Sequence, residues 1–350
     1  MNARGHRNRG LTLVEVLLLI GIIVCVCIML MPALLAARER ARRPICQENM
    51  KRLGLAYHNY AQAFNGQLVA SSGVTRDRHG KITAVDGWSW LALTLPYMED
   101  WKQSDGIVVS PKDLYDKLDI AHGRPLTEPE GAKGTPHADV LATSIPYLLC
   151  PSSGAAPYTD FNGKKAAITS YHPLGATHIE SLSVASANPL TPKYEPGPRH
   201  PDGNCFPGTN LRLAQIRNGT SYTLMFVESV EPRYAKWTVG ADAALVAFPR
   251  CVEFEEYGPR HYAPKGYSKA LKKGPEADST YWTYHTYFDW DCSRSPYDAA
   301  DGTSGVRYGP SSNHPGMVNH VFMDGSVRSL SKDIDITLYM FLVGGRFSDY

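Results

Sequence analysis

The chain of 350 residues lacks the short signatures that announce an enzyme. It has no His-Glu-x-x-His, no Gly-x-Ser-x-Gly elbow, no Gly-x-Gly-x-x-Gly fingerprint and no P-loop. Helical zinc proteases, hydrolases built on a nucleophile elbow, dinucleotide enzymes and P-loop nucleotidases are therefore excluded at the level of motif. The twelve histidines are scattered and none is coupled by spacing to a nucleophile, so the expectation is a protein that is not an enzyme and carries no cofactor. A basic excess is missing too. Seven arginines and two glutamates fall in the first 43 residues, which leaves 29 basic against 32 acidic residues beyond them. That mildly acidic remainder argues against nucleic acid as a partner. Charge is absent altogether from Val16 to Ala37. At about 1.5 Å per residue this stretch makes a helix of roughly 33 Å, enough to cross a bilayer core.

The edge of that stretch is the most distinctive part of the sequence. Arg4, Arg7 and Arg9 lead into Gly10-Leu11-Thr12-Leu13-Val14-Glu15, so one carboxylate stands just inside the apolar run. A membrane carboxylate costs roughly 3 kcal/mol at mid-depth and less near the end, which makes Glu15 a functional candidate in need of a partner. No A-x-A cleavage site precedes the cluster Arg38, Arg40, Arg42 and Arg43, and the run is too long for an ordinary secretory signal. The bland alternative is a signal anchor with an incidental glutamate.

The Gly, Thr-Leu and Glu pattern resembles the leader of type IV prepilins and type II secretion pseudopilins. That resemblance implies cleavage between Gly10 and Leu11 by a prepilin peptidase, methylation of the new amine on Leu11, and retention of the span as an anchor in inner-membrane lipid. It places the amino terminus in the cytoplasm and the carboxy-terminal domain in the periplasm or at the cell surface. It also implies that Glu15 serves assembly with other pilin-like subunits, by neutralising the amine of a neighbour. Charge alone does not orient the span, because arginines flank both ends.

Beyond Pro32 the pattern turns amphipathic. Cys46, Met50, Leu53, Tyr57, Tyr60 and Phe64 recur at steps of four and three, one helical stripe for docking on a globular domain. The spacing predicts a helix from Leu11 to about Phe64, bent or interrupted near Pro32 and Pro44 and capped at Asn65-Gly66. From Gly66 short apolar runs alternate with turn residues, and 24 of the 25 prolines lie from Pro44 onward. Strands are predicted over 222–228, 281–289, 318–323 and 327–330, short helices from Ser110 and over 335–343, and loops around 121–138, 175–210 and 255–280. The fold class is α+β: a long amino-terminal helix, half membrane-spanning and half amphipathic, packed on an antiparallel β-rich pilin-like head with long loops. The division is a leader 1–10, a helix 11–64 and a β-rich extracytoplasmic domain 65–350. Trp282, Tyr284, Phe288 and Trp290 share one face of the aromatic segment, read either as a core strand or as a platform for a glycan or peptide. On the second reading the protein is a non-polymerising envelope anchor whose head binds a glycan or protein.

Five cysteines lie outside the span and none forms Cys-x-x-Cys. Cys46 with Cys150 and Cys205 with Cys251 are candidate disulfides, although spacing does not fix the connectivity and buried free thiols are the equal alternative. Near the end, His314 precedes Asp324-Gly325. Asp-Gly between two strand-like runs predicts a type I′ hairpin with both central residues at positive φ. The spacing resembles the His-x9-Asp-Gly motif of a large family of bacterial prepilin-like proteins whose shared domain has no assigned function. Other segments agree: Arg42-Arg43 with Cys46, Trp88-Ser89-Trp90, Leu148-Leu149-Cys150-Pro151-Ser152, Asn218-Gly219-Thr220-Ser221 leading to Glu228, and Gly344-Gly345. Residue type would let His314, His320 and Asp324 bind a metal, but with no companion carboxylates in the hairpin they are read as hydrogen-bonding loop residues and no metal is assigned.

Overall fold

A computed structural model describes residues 12–79, 82–84, 87–102, 106, 108–118, 120, 136–161, 164–178, 201, 203–230, 236–240, 243, 245–248, 254–256, 262–264, 310–331 and 334–344. The fold is α+β, with a long amino-terminal helix and a β-rich body, and it divides into two compact units, Met1–Pro44 and Ile45–Tyr350. The helix α1 runs without a break over Leu13–Ala63 and keeps both Pro32 and Pro44 inside it. At its end the Gly66 amide donates to the Ala61 carbonyl (2.7 Å) and Asn65 and Gly66 take positive φ, the Schellman arrangement.

In the first unit every described side chain from Leu13 to Leu34 is exposed. Among the described residues α1 is the one helix long and apolar enough to cross a membrane. In the second unit the helix buries Cys46, Met50, Leu53 and Tyr57 completely or nearly so. Tyr60 packs partly buried against this core, whereas Phe64, expected to close the stripe, is 47% exposed and stacks on Tyr60 (ring centroids 4.4 Å apart). Gln47, next to Cys46 but off that stripe, donates to Ser329 Oγ (3.0 Å) and ties the helix to the sheet.

The central sheet has five strands: β1 (Tyr171–His178), β2 (Leu224–Glu228), β3 (Leu245–Phe248), β4 (Met317–Phe322) and β5 (Val327–Ser331), in the order β5-β4-β2-β1-β3. β5, β4, β2 and β1 pair antiparallel, as expected of an antiparallel β-rich head, and β3 joins the edge of β1 in parallel. Part of β1 falls where a loop was expected. Pro173 and Gly175 read locally as strand breakers, yet the strand pairs with β2 through Tyr171, His172 and Pro173 and then with β3 from Leu174 onward. Splitting its partners between two strands lets the sheet tolerate a residue with no amide hydrogen. Helix α1 meets this sheet at Gly54, where an added Cβ would lie 3.3 Å from Val321 Cγ1. A side chain there would require the Val321 methyl to give by a few tenths of an ångström.

Four short helices lie among the described residues: α2 (Trp90–Thr94), α3 (Pro111–Asp116), α4 (Pro136–Leu141) and α5 (Ile336–Val343). Ser89 caps α2 by accepting from the Ala92 amide (3.3 Å), which seats Trp90 against Phe226 and Tyr57 in the core. α3 begins at Pro111, as its helix-start residues predict. The predicted strand 281–289 and its aromatic face lie outside the described residues.

Candidate functional site

The first turn of α1 is built around Glu15. The Thr12 amide donates to Glu15 Oε2 (2.8 Å), the Thr12 hydroxyl donates to the same oxygen (2.9 Å), and the Glu15 amide reaches Thr12 Oγ1 (3.4 Å). With Thr12 at the N-cap and Glu15 three residues on, this is a capping box, and it satisfies amides that have no partner within the helix. Glu15 thus has a local structural role within its own chain. Gly10 and Leu11 lie outside the described residues.

The second constellation surrounds the His-x9-Asp-Gly segment, whose two ends are put to separate uses. Asp324 and Gly325 form the β4–β5 turn. The Gly325 amide donates to the Phe322 carbonyl (2.9 Å), the Phe322 amide donates to the Ser326 carbonyl (2.9 Å), and Asp324 Oδ1 accepts from the Ser326 amide (2.8 Å). Gly325 (φ 81) is at positive φ and Asp324 is not. The connection is therefore a three-residue loop closed by a left-handed glycine and not the expected type I′ turn. Gly325 also lies against His58 of α1, whose imidazole pKa is lowered by burial.

His314 goes elsewhere. It is buried, with its Nε2 3.6 Å from Glu228 Oε2 and 3.6 Å from Cys150 Sγ. Cys150 is disulfide-bonded to Cys46, so the motif histidine stands beside the cross-link between α1 and the segment after the Pro146–Leu148 turn. Glu228 ends β2 and is buried; Oε1 accepts from the Asn319 amide (2.7 Å) and Oε2 from Asn319 Nδ2 (3.2 Å). Burial raises its carboxyl pKa, opposed by His314 and by the Asn319 and Ser312 hydrogen bonds. The local frame is tight: the Cys150 amide donates to Ser170 Oγ (3.1 Å), and the His314 amide donates to Ser312 Oγ (3.0 Å).

His320 is separate again. Its Nε2 lies 2.9 Å from the Tyr339 hydroxyl and its Nδ1 3.0 Å from the Val318 carbonyl, so the neutral ring donates from Nδ1 and accepts at Nε2. Burial pushes its pKa down to about 3. This contact docks α5 on the sheet. His314, His320 and Asp324 consequently do not converge on one ion. Cys205, the other disulfide candidate, is a free, buried thiol that donates to the Val69 carbonyl (3.1 Å), with its pKa raised by burial, and Cys251 lies outside the described residues. Asn218 Nδ2 donates to the Gly344 carbonyl (3.3 Å), joining two of the family-like segments through the end of α5.

Residues 35–337 match a family described as proteins of unknown function, DUF1559. The chain belongs to the DUF1559 family. The match begins inside α1, near the end of the charge-free apolar run, and covers the described sheet, the disulfide and the His314–Glu228 contact. No curated protein and no solved structure matches this DUF1559 chain. Glu228 is the residue that spacing did not single out as His314's partner. Its signal was a lone carboxylate closing the apolar run Leu224-Met225-Phe226-Val227, an acid placed where a strand would be buried.

Proposed function

We propose that this chain is a non-catalytic, prepilin-like structural subunit. In this reading a prepilin peptidase removes residues 1–10, the amine of Leu11 is methylated, and α1 remains in the inner membrane with the second unit outside it. The mature subunit then joins other pilin-like subunits in a pilus or type II secretion pseudopilus-like assembly. One observation carries the proposal: a carboxylate is held in the first turn of α1, whose apolar stretch from Leu13 to Leu34 is exposed, three residues from Thr12 and close in sequence to the Gly10-Leu11 junction. The capping box fixes that carboxylate at the helix end, where a neighbour's free amine would meet it. Membership of the DUF1559 family is compatible with the reading, and so is the burial of Glu228 and His314, which removes an acid and a histidine from any substrate.

The test is assembly. Glu15→Leu should leave the protein in the membrane fraction and abolish its co-purification with pilin-like subunits, while the intact mass of the wild type should begin at methylated Leu11. Normal co-purification of the mutant overturns the assembly role. A mature terminus at Met1 or beyond Ala37 overturns the processing.

A further inference from the structure

Cys46, Cys150, Glu228 and His314 each place one ligand atom within 4.8 Å of the other three, and all four residues are buried. They come from four parts of the second unit: α1, the segment after the Pro146–Leu148 turn, the end of β2 and the approach to β4. A tetrahedral zinc site with bonds of about 2.3 Å to sulfur and about 2.0 Å to nitrogen or oxygen has ligand–ligand edges of about 3.3 to 3.8 Å. The Cys150–His314 and His314–Glu228 edges are both 3.6 Å. The edge that differs is the covalent bond between the two sulfurs.

We propose that the Cys46–Cys150 disulfide is one of two states of a redox-gated metal site, and that in the reduced state Cys46, Cys150, His314 and Glu228 bind a Zn2+ ion. A dithiol reductant opens the bond: it is oxidised to its own disulfide and delivers two electrons and two protons, leaving two thiols. Zn2+ then displaces both thiol protons, together with the carboxyl proton where Glu228 carries one. It is ligated by the two sulfurs, His314 Nε2 and Glu228 Oε2. Two sulfurs and an imidazole select a borderline-soft ion over calcium or magnesium. Outer partners are already in place, because the Asn319 amide and Nδ2 hold the Glu228 carboxylate in orientation. Either state ties α1 to the head. The metal state also recruits β2 and the segment before β4.

The experiment uses the full chain in detergent, prepared in the cystine form and in a phosphine-reduced form, each exposed to Zn2+ and freed of excess. Elemental analysis should find about one zinc per reduced chain and none bound at this site in the cystine form, with Co2+ giving a thiolate charge-transfer band in the reduced form alone. His314→Ala and Glu228→Gln should each weaken binding at least about tenfold, which separates this site from Cys25, Cys27 and Cys205. A reduced chain that stays folded and holds no zinc overturns the proposal, as does zinc binding unchanged in His314→Ala. Where reduction unfolds the chain, recovery of its circular dichroism on adding Zn2+ supports the proposal and failure to recover refutes it. These outcomes are independent of co-purification through Glu15.

Discussion

Leu17 and Leu53 lie on the same uninterrupted helix, yet the first is 59% exposed and the second fully buried. Both are excellent helix formers, so local propensity does not distinguish them. Their surroundings do. Around Leu53 the apolar residues form one stripe and the other faces carry Glu48, Lys51 and Arg52, the pattern of a helix with a core on one side. Around Leu17 the apolar residues go all the way round, and no protein surface among the described residues covers them. An all-round apolar helix of bilayer length needs lipid, while a striped helix needs a sheet.

The widest separation of the two halves comes from charging the first. Ile20→Arg with Val24→Arg should cost about 5 to 7 kcal/mol of membrane insertion, at roughly 3 per arginine, and move the protein out of the carbonate-resistant membrane fraction. Its head should keep the wild-type circular dichroism. A variant that stays in the membrane would mean that this stretch is not the anchor. A matched truncation sharpens the contrast. Leu53→Ala should destabilise the head by about 2 to 5 kcal/mol in denaturant titration of the detergent-solubilised chain, and Leu17→Ala should leave that midpoint in place. Equal shifts would show that the exposed half is also packed on protein.

The smallest effect tests the sheet's attachment of α5. In the fold His320 is held neutral by burial, with a pKa of about 3 against 6.5 for the free side chain. Between those values the unfolded chain binds the extra proton, so stability is fully present above about pH 6.5 and falls as pH drops below it. At pH 5.5 the loss from this one group should be about 1 kcal/mol relative to neutral pH. Glu228 acts in the opposite sense, because a burial-raised carboxyl favours the fold as pH falls. His320→Gln isolates the histidine: its melting temperature should drop less than the wild type's between pH 7 and 5.5. An identical drop in both proteins would refute the assignment.

Some of this molecule was legible residue by residue. The stripe from Cys46 to Tyr57, the α3 start at Pro111, and the strands around Val318 and Leu330 follow from periodicity and end signals that act over a few residues. β1 was not legible, because Pro173 and Gly175 contradict a strand locally and only pairing with two different neighbours overrides them. The hairpin at Asp324-Gly325 was legible as a turn but not as a type. The register Val321↔Val327 places Phe322 opposite Ser326, whose hydrogen bond leaves three residues in the loop, and that length follows from the whole β4–β5 pairing. Asn319 and Glu228 are 91 residues apart in sequence, so no spacing rule joins them.

By itself the sequence determined the long helix, the change from an all-round apolar surface to a single stripe, and the α+β class, since each depends on contacts or solvent preferences repeating every few residues. Tertiary structure decided that the motif's histidine and its Asp-Gly belong to different sites. It also decided that His314 meets Glu228 beside the Cys46–Cys150 bond, and that His320 stays neutral against Tyr339. The physical reason is that a buried polar group must find its partner wherever the packed chain offers one, and that partner's position in the sequence carries no energy.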